Sequence, residues 1–443
     1  MARTYRDPRV QATSSTSGTS LRTVQRTMSL RTFRVAALVI LTLAGFYVWC
    51  VTCMYRAHRL SDKRDLVSIQ RAIQLQPRDA ANYDLLGRYF IWTAQDPQAA
   101  VMAFRKAVTF DPYVSSYWLH LAQAESSLGN DREQSDAIRN AIAVDPTTPE
   151  VAWEAANSLL VQGRPDEALN QLAVVIRNDP KMAEAALDTS WRALEDVDRI
   201  CSRLPADPDV YLQFVKILVA RKQWRFADQV WSSTLQLNRE FDPREALFYV
   251  DALLAERNVT AAGRVWLQLS EKSPTLKVYN TPGNFLINGS FDHDILNAGF
   301  DWHYSALPGV AVVLDSTQAH LGNESLLITF SGSSDDTGIW QYVPVTPGTF
   351  YIASAWVKSE MLQSANGPYL AIYDGYKNIA YGKSEDTVGT TGWHRVEATF
   401  TAPPDVTLVA LRFSRNAGNS QIRGQFWVDD VRLSEGSSPS LKH

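Results

Sequence analysis

The side chains that usually carry out catalysis form no active-site pattern in this sequence. No G-x-S-x-G nucleophile motif, H-E-x-x-H zinc motif or phosphate-binding loop occurs among the 443 residues. Cleavage of a glycosidic bond needs two carboxylates across a cleft. The paired acids here are sequence neighbours, whose side chains point to opposite faces of a strand or lie in turns; they are Asp335–Asp336, Glu385–Asp386 and Asp429–Asp430. The sequence therefore predicts a protein that is not an enzyme.

The three cysteines predict neither a redox centre nor a zinc site. Cys50 and Cys53 form a C-x-x-C pair, but both lie within an uncharged apolar run. A redox pair needs an exposed thiolate with a low pKa, and zinc needs two further ligands. No cysteine follows Cys201, so the C-terminal region has no disulfide framework.

The charge distribution argues against nucleic acid as a partner. The net charge is −4, and residues 280–436 carry about twice as many acidic as basic residues. Such a surface would repel a phosphate backbone. The seven arginines within residues 1–34 lie beside an apolar run, which makes them a signal for membrane topology. Residues 1–34 are otherwise polar, and we predict a disordered tail there.

A proline recurs with nearly constant spacing through the first half of the chain. The pairs Gln76-Pro77, Asp111-Pro112, Asp145-Pro146 and Asp179-Pro180 are 35, 34 and 34 residues apart. A period near 34 is typical of helix-turn-helix repeats. Proline ends a helix because it lacks an N–H group and disfavours the helical conformation of the residue before it.

The residues between these prolines resemble the tetratricopeptide repeat (TPR) family. The first unit has one extra residue in its turn near Asp96-Pro97, and residues 181–206 are helical in pattern but out of phase. The pattern positions are Tyr83, Leu86, Gly87, Phe90, Ala100, Phe104 and Ala107, then Trp118, Leu121, Ala122, Ile138 and Ala141, then Trp153, Ala156, Leu160, Ala168 and Leu172, and more loosely Tyr211, Phe214, Leu218, Ala227 and Trp231, and Tyr249, Leu253, Ala262 and Trp266. The resemblance implies an all-α superhelix over residues 60–278, with a groove that binds a protein partner.

One apolar run is long enough to cross a membrane. The 21 residues from Val35 to Tyr55 contain no charge, and as a helix they would be about 31 Å long, close to the thickness of a bilayer core. We predict an uncleaved signal anchor at 35–55 that makes this a single-pass inner-membrane protein. The arginines before it favour a cytoplasmic N-terminus, with both folded domains outside the cytoplasm. A cytoplasm-facing arrangement stays open as an alternative.

After Tyr279 the apolar pattern changes from helical to alternating. Short alternating runs separated by turn residues predict a β-sandwich or jelly roll over residues 282–436, followed by a disordered tail at 437–443. The predicted strands are Leu326–Phe330, Ile339–Val345, Phe350–Val357, Tyr369–Tyr373, His394–Phe400, Thr407–Phe413 and Phe426–Leu433.

Several motifs in this region resemble the jelly-roll carbohydrate-binding modules. They are the segments 284–292 (NFLINGSFD), 340–351 (WQYVPVTPGTFY), 355–358 (AWVK), 393–396 (WHRV) and 426–433 (FWVDDVRL). The resemblance implies a polysaccharide ligand. Aromatic faces stack on sugar rings, while polar groups bind the hydroxyls.

Strand alternation selects the candidate sugar-binding residues. If Leu370 and Ile372 face the core, Tyr369 and Tyr373 face outward; the same reasoning places Trp340, Tyr342 and Arg412 outside. The alternative is that these side chains pack under loops or against the repeats.

The resemblance also implies a structural calcium ion near the first and last strands. The matching positions are Asp292, Asp429 and Asp430. Calcium takes several oxygen ligands, including backbone carbonyls. These carboxylates could instead cap a turn.

The sequence thus predicts a multidomain, membrane-anchored scaffold: one transmembrane helix, an all-α TPR superhelix and an all-β jelly-roll sandwich. Its repeats would recruit a protein, and its sandwich would hold a polysaccharide, in surface polysaccharide assembly or export. The alternative is a protein-assembly scaffold whose sandwich binds protein or only caps the repeats.

Overall fold

The structure, a computed structural model, describes residues 30–416 and 421–437. Most of the predicted N-terminal tail and residues 438–443 of the predicted C-terminal tail lie outside this part of the chain. The chain divides into two units, Met1–Val144 and Asp145–His443, and each is described by itself.

The first helix, α1, begins at Leu30 and ends at Ser61, so it extends beyond the apolar run on both sides. Within its segment Phe33–Ser61, an 18-residue apolar window has a mean hydropathy of 2.2, and this window is not buried in the protein. The helix is long and apolar enough to be a membrane anchor or a signal sequence. Its last turns pack on the repeats: Ala57 is fully buried, and the Ser61 hydroxyl donates to Asn82 Oδ1 at 2.5 Å.

The rest of the first unit consists of helices joined by short turns. They are α2 Leu66–Leu75, α3 Ala80–Tyr89, α4 Pro97–Phe110, α5 Ser115–Ser127 and α6 Asp131–Val144. Helix α4 ends directly before Asp111-Pro112, and α6 ends directly before Asp145-Pro146. The prolines therefore mark helix ends, as the spacing predicts.

The extra residue of the first repeat is accommodated slightly earlier than predicted. A π-helical turn, Phe90–Ala94, follows α3, and Gln95 then takes a left-handed conformation with φ 54°. Asp96 closes the turn by donating its N–H to Phe90 O and caps α4 by accepting from Ala99 N. A π turn takes up one additional residue within a helix, which explains the step of 35 instead of 34.

The second unit continues with helix pairs and ends in a β-sandwich. Its helices are α7 Pro149–Val161, α8 Pro165–Asn178, α9 Pro180–Leu194, α10 Val197–Cys201, α11 Pro208–Ala220, α12 Trp224–Gln236, α13 Leu247–Ala255, α14 Val259–Lys272 and α15 Pro274–Lys277. Residues 181–206, which the sequence predicts to be helical but out of phase, contain most of α9 and all of α10. Helix α10 has only five residues, so the second helix of this pair is shortened.

Helices α3 and α4 pack closely where Gly87 of α3 faces Phe104 of α4. A Cβ placed on Gly87 would lie 2.5 Å from the Phe104 ring, which is buried.

We expect Gly87→Ala to lower the free energy of unfolding by about 1–3 kcal/mol, because the ring would have to move. Gly263 in α14 has no atom within 4 Å of such a Cβ. Gly263→Ala should be neutral or stabilise by up to about 1 kcal/mol through helix propensity. Urea unfolding of both variants checks this, and equal effects would contradict it.

The sandwich consists of two five-stranded antiparallel sheets. Its strands are β1 Trp302–Tyr304, β2 Val310–Asp315, β3 Ser325–Gly332, β4 Asp336–Pro344, β5 Phe350–Gln363, β6 Pro368–Asp374, β7 Ala380–Lys383, β8 Gly389–Thr401, β9 Leu408–Arg415 and β10 Ile422–Glu435. One sheet has the order β1-β4-β9-β6-β7 and the other β2-β3-β10-β5-β8. Their inward side chains form one apolar core.

The segment 284–292 enters the sandwich as a coil and forms no strand. The Asn284 amide donates to Val431 O at 2.9 Å, and its carbonyl oxygen accepts from Leu433 N at 3.0 Å. Phe291 is fully buried and stacks on Trp302 with ring centroids 5.0 Å apart. The entry segment is thus held by the last strand and by an aromatic pair in the core.

Candidate functional site

The five predicted sugar-binding residues lie on one face of one sheet. Strand β9 lies between β4 and β6, and its register pairs Arg412 with Trp340 on one side and with Ala371 on the other. In the next row Ala410 pairs with Tyr342 and Tyr373, and in the third Ser414 pairs with Asp336 and Tyr369. The intervening residues Leu411, Phe413 and Leu370 are fully buried in the core. Alternation therefore puts the whole predicted set on the outer face.

Large side chains flank small ones on this face. The outer positions of β4 carry Trp340 and Tyr342, those of β6 carry Tyr369 and Tyr373, and Ala410 and Ala371 lie between them. Strands β4 and β6 are two strand spacings apart, so their backbones are separated by about 10 Å. The small residues are buried, with Ala410 0% and Ala371 1% exposed. We call this row of large side chains that flank small ones, together with Arg412, the β4–β6 groove.

Charged and imidazole groups hold the wall rings in place. His303 on β1 stacks on Trp340 with centroids 5.3 Å apart and 13° between planes, and it meets Tyr342 edge-on at 5.4 Å. The Arg412 guanidinium carbon lies 5.1 Å from the Tyr373 centroid. On the neighbouring strand β7, the Lys383 ammonium lies 5.4 Å from the centroid of Tyr369. Ring orientation is thus set by cation–π and stacking contacts, each worth about 1 kcal/mol.

Two N–H groups at the groove are without a hydrogen-bond partner among the described residues. They are Nε1 of Trp340 and Nε of Arg412, both shielded from solvent. An unsatisfied buried donor costs about 1–3 kcal/mol. A hydroxyl that reached either atom, after a small shift of the covering side chains, would remove that cost.

One end of the groove combines a half-buried carboxylate with a buried phenol. Burial raises the pKa of Asp336 above its usual value, although the N–H of Thr337 and the charge of Arg412 oppose the shift. Tyr369 is 8% exposed, and burial, followed by its neighbour Tyr373, raises its pKa to about 12. At neutral pH the phenol is therefore protonated and donates to Asn416 Oδ1 at 3.4 Å, while the Asp336 carboxylate accepts from Thr337 N. A sugar hydroxyl could replace the long bond to Asn416.

Three residues of this face were not among the sequence predictions: His303, Asp336 and Lys383. Strand β1 has only three residues, which is too short for a periodic signal. Register shifts interrupt β4 between Asp336 and Trp340 and the β6–β7 pair between Ile372 and Tyr373. Alternation counted from the core positions is unreliable past such irregularities.

The outer face of the other sheet also carries aromatic residues, but a loop covers them. His320 stacks on Trp356 at 3.9 Å and meets Trp393 at 5.8 Å. Trp427 donates its indole N–H to Asp315 at 2.7 Å. The wall rings of the β4–β6 groove also have protein partners, but the groove has two unsatisfied donors, Nε1 of Trp340 and Nε of Arg412, and is therefore the better candidate for a ligand.

The three residues predicted to bind calcium anchor a loop and an arginine. Asp429 Oδ2 accepts from His320 N at 2.7 Å and Leu321 N at 2.9 Å, and Asp292 accepts from Asn323 N at 2.6 Å. Asp430 pairs with Arg432 at 2.7 Å. Within residues 30–416 and 421–437, no three His, Cys, Asp or Glu side chains are grouped as metal ligands. The arrangement fits turn capping better than a calcium cage, and calcium binding stays a prediction.

A second concave surface lies in the helical part of the second unit. It is a cavity of about 900 Å³ lined by six carboxylates and a single lysine, Lys216. The acidic residues are Glu184, Asp207, Asp209, Glu240, Asp242 and Glu245. A ligand of this surface would need cationic groups.

Residues 283–419, which include the groove, match the family model described as "Carbohydrate binding domain". The C-terminal domain is CBM4-like. This confirms the predicted resemblance of the sandwich, and the helix pairs on a 34-residue period make the preceding region TPR-like. Folds of both types are non-catalytic.

Solved structures resemble each part of the chain. One described as "CBM4 structure and function" is 21% identical, covers 34% of this chain and 99% of its own, and has a TM-score of 0.26. The MamA protein is 14% identical, covers 40% and 95%, and has a TM-score of 0.31. PilF of Pseudomonas aeruginosa is 17% identical, covers 51% and 91%, and has a TM-score of 0.25. No curated protein matches the chain.

Proposed function

We propose that this protein is a membrane-anchored, non-enzymatic scaffold whose CBM4-like domain binds a polysaccharide in the β4–β6 groove. The observation that carries the proposal is the row pattern of the groove, in which aromatic walls flank a floor of small residues. Sugar rings offer apolar faces for stacking and hydroxyls for hydrogen bonds. Trp340 and Tyr342 supply stacking surface, while Arg412, Asp336 and Tyr369 supply polar groups.

The length of the groove favours a chain of sugars over a single one. The rows at Ala410, Arg412 and Ser414 repeat every two residues along β9, so the three rows together span about 14 Å. A single pyranose would cover only part of that length. We therefore expect oligosaccharides to bind more tightly than the corresponding monosaccharide.

The helical repeats are proposed to recruit a protein partner. The acidic cavity lined by Glu184 and Glu240 would favour a cationic segment of that partner. In this proposal α1 is a single-pass anchor in the inner membrane, the N-terminus is cytoplasmic, and the repeats and sandwich lie outside the cytoplasm. The protein would then hold a polysaccharide beside a membrane assembly that builds or exports it.

Binding to a polysaccharide panel tests the proposal. The full-length protein, in detergent micelles, would be applied to immobilised neutral and acidic polysaccharides. We expect retention on at least one class and its loss with the double variant Trp340→Ala/Tyr342→Ala. A protein that is retained on no polysaccharide, but whose sandwich cross-links to another protein, would contradict the proposal and support a purely protein-binding scaffold.

A further inference from the structure

The last helix pair, α13 and α14, packs directly against the sandwich beside the groove. Tyr376, in the turn between β6 and β7, donates its hydroxyl to Leu254 O at 2.9 Å. The Gly299 N–H donates to Asp251 Oδ1 at 2.6 Å. Trp266 meets Phe300 edge-on with centroids 5.9 Å apart. Two sandwich loops are therefore fixed on one helical hairpin.

The fit between the two parts is close. Gly299 has φ 63°, and a Cβ on it would lie 2.7 Å from the Trp266 ring. Trp266 is 6% exposed and Phe300 4% exposed. Glycine is the residue that allows both this backbone conformation and this approach. The hairpin thus has a defined position relative to the β6–β7 turn.

This contact places an arginine of the repeats at the end of the β4–β6 groove. Arg257 lies in the exposed turn between α13 and α14, and its guanidinium carbon is 5.0 Å from the Tyr376 centroid. Gly375, which precedes Tyr376, packs on Leu408, the β9 position two residues before Ala410. Burial, and after it the neighbouring Tyr342, raises the pKa of Tyr376. Arg257 therefore lies just beyond the row of Tyr342, Ala410 and Tyr373.

Arg257 is a cation at this end of the groove, where the nearby carboxylate, Asp374, already accepts from Tyr376 N, Lys377 N and the Tyr381 hydroxyl. Across the described part of the chain, no carboxylate forms an ion pair with Arg257; its neighbour Glu256 instead pairs with Lys222 at 3.7 Å. Arg412 adds a cation over Tyr373, whereas Lys383 lies over Tyr369 in the row of Asp336. The carboxylate of the groove, Asp336, lies in the row farthest from Arg257.

We infer that Arg257 is a specificity-determining residue of the groove, and that the ligand is an acidic polysaccharide with carboxylate-bearing sugars. The inference rests on the proposed function. The helical hairpin closes one end of the sugar site, so the repeats and the sandwich form one composite site. Arginine suits this role because its planar fork can bind a carboxylate with two hydrogen bonds while it stacks on Tyr376.

Binding of the full-length protein to polygalacturonate and to a neutral β-glucan tests this assignment. We expect Arg257→Ala to weaken polygalacturonate binding at least about tenfold and to leave glucan binding within about twofold. Arg257→Lys should recover part of the loss, because it keeps the charge without the fork. Arg177→Ala, at an exposed arginine on α8, is the matched control and should change neither.

The outcomes separate this inference from the proposed function. If the wild type binds neither polymer nor any other polysaccharide, both are overturned. If it binds a polysaccharide but Arg257→Ala leaves acidic and neutral binding unchanged, only the inference fails. Equal loss on both polymers together with a lower melting temperature would show that Arg257 only stabilises the contact with Tyr376, which also overturns it.

Discussion

Replacing Trp340 with alanine should weaken polysaccharide binding by roughly 30-fold, the equivalent of about 2 kcal/mol. Trp340 is the largest ring in the wall of the β4–β6 groove, and it lies in the same row as Arg412. The change removes the stacking surface, including the ring on which His303 stacks at 5.3 Å, and leaves His303 only its edge contact with Tyr342. Isothermal titration of the full-length protein with the polysaccharide that retains it would measure the loss.

Trp393 provides the matched control for this variant. It is a half-buried tryptophan on the outer face of the other sheet, where it contacts His320. Trp393→Ala removes the same side chain and should leave affinity within about twofold, as expected for a residue outside the binding surface. Equal losses in the two variants would indicate a general effect on the sandwich. An unchanged affinity for Trp340→Ala would place the ligand elsewhere.

The aromatic side of the groove could be predicted because each wall residue alternates with a core residue. Tyr369 and Tyr373 flank Leu370 and Ile372, and Trp340 precedes Gln341, which faces inward. A period of two is the strongest signal that a half-buried strand gives. All seven predicted strands overlap observed strands; the start at Phe350 coincides, and the other ends differ by one to six residues.

The sequence did not reveal the features that complete the site. Strands β1 and β7 have three and four residues, so neither shows a period, and β2 was not predicted. The contacts of Tyr376 and Gly299 with the last helix pair involve loops, where position depends on tertiary packing and not on a repeating pattern. Contacts between the repeats and the sandwich are therefore missed by pattern analysis, even when both are recognised.

In the repeats too, the period could be predicted from the sequence, but local irregularities could not be located. The prolines gave the period because each must end a helix, and Gly87 marked the close approach to Phe104. The π turn at Phe90–Ala94 was visible only as a spacing of 35, which does not say where the extra residue lies. In the sequence, the short helix α10 is visible only as a loss of the 34-residue phase, which does not show which helix is shortened.

A second large effect is expected from Asp301, which is fully buried beside the core residue Trp302. Its Oδ2 accepts from Leu296 N at 2.7 Å, but burial dominates and raises its pKa to about 7. The usual value is 3.8, so between about pH 4 and 7 the folded protein binds more protons than the unfolded chain. Stability should therefore fall as pH rises through this window, by up to about 4 kcal/mol in total.

Asp301→Asn should remove that pH dependence, because the amide oxygen can still accept from Leu296 while no charge is buried. At pH 8 the variant should unfold at a higher temperature than the wild type, and at pH 4 the two should be similar. Differential scanning calorimetry of the full-length protein across this range would measure the difference in melting temperature between the two proteins. Other buried acids, such as Asp429, are present in both, so their contributions cancel. Asp294→Asn, at an exposed carboxylate in the same loop, should leave the slope unchanged. Parallel curves for the wild type and Asp301→Asn would mean that the buried carboxylate is ionised in the fold at little cost, contrary to the argument from burial.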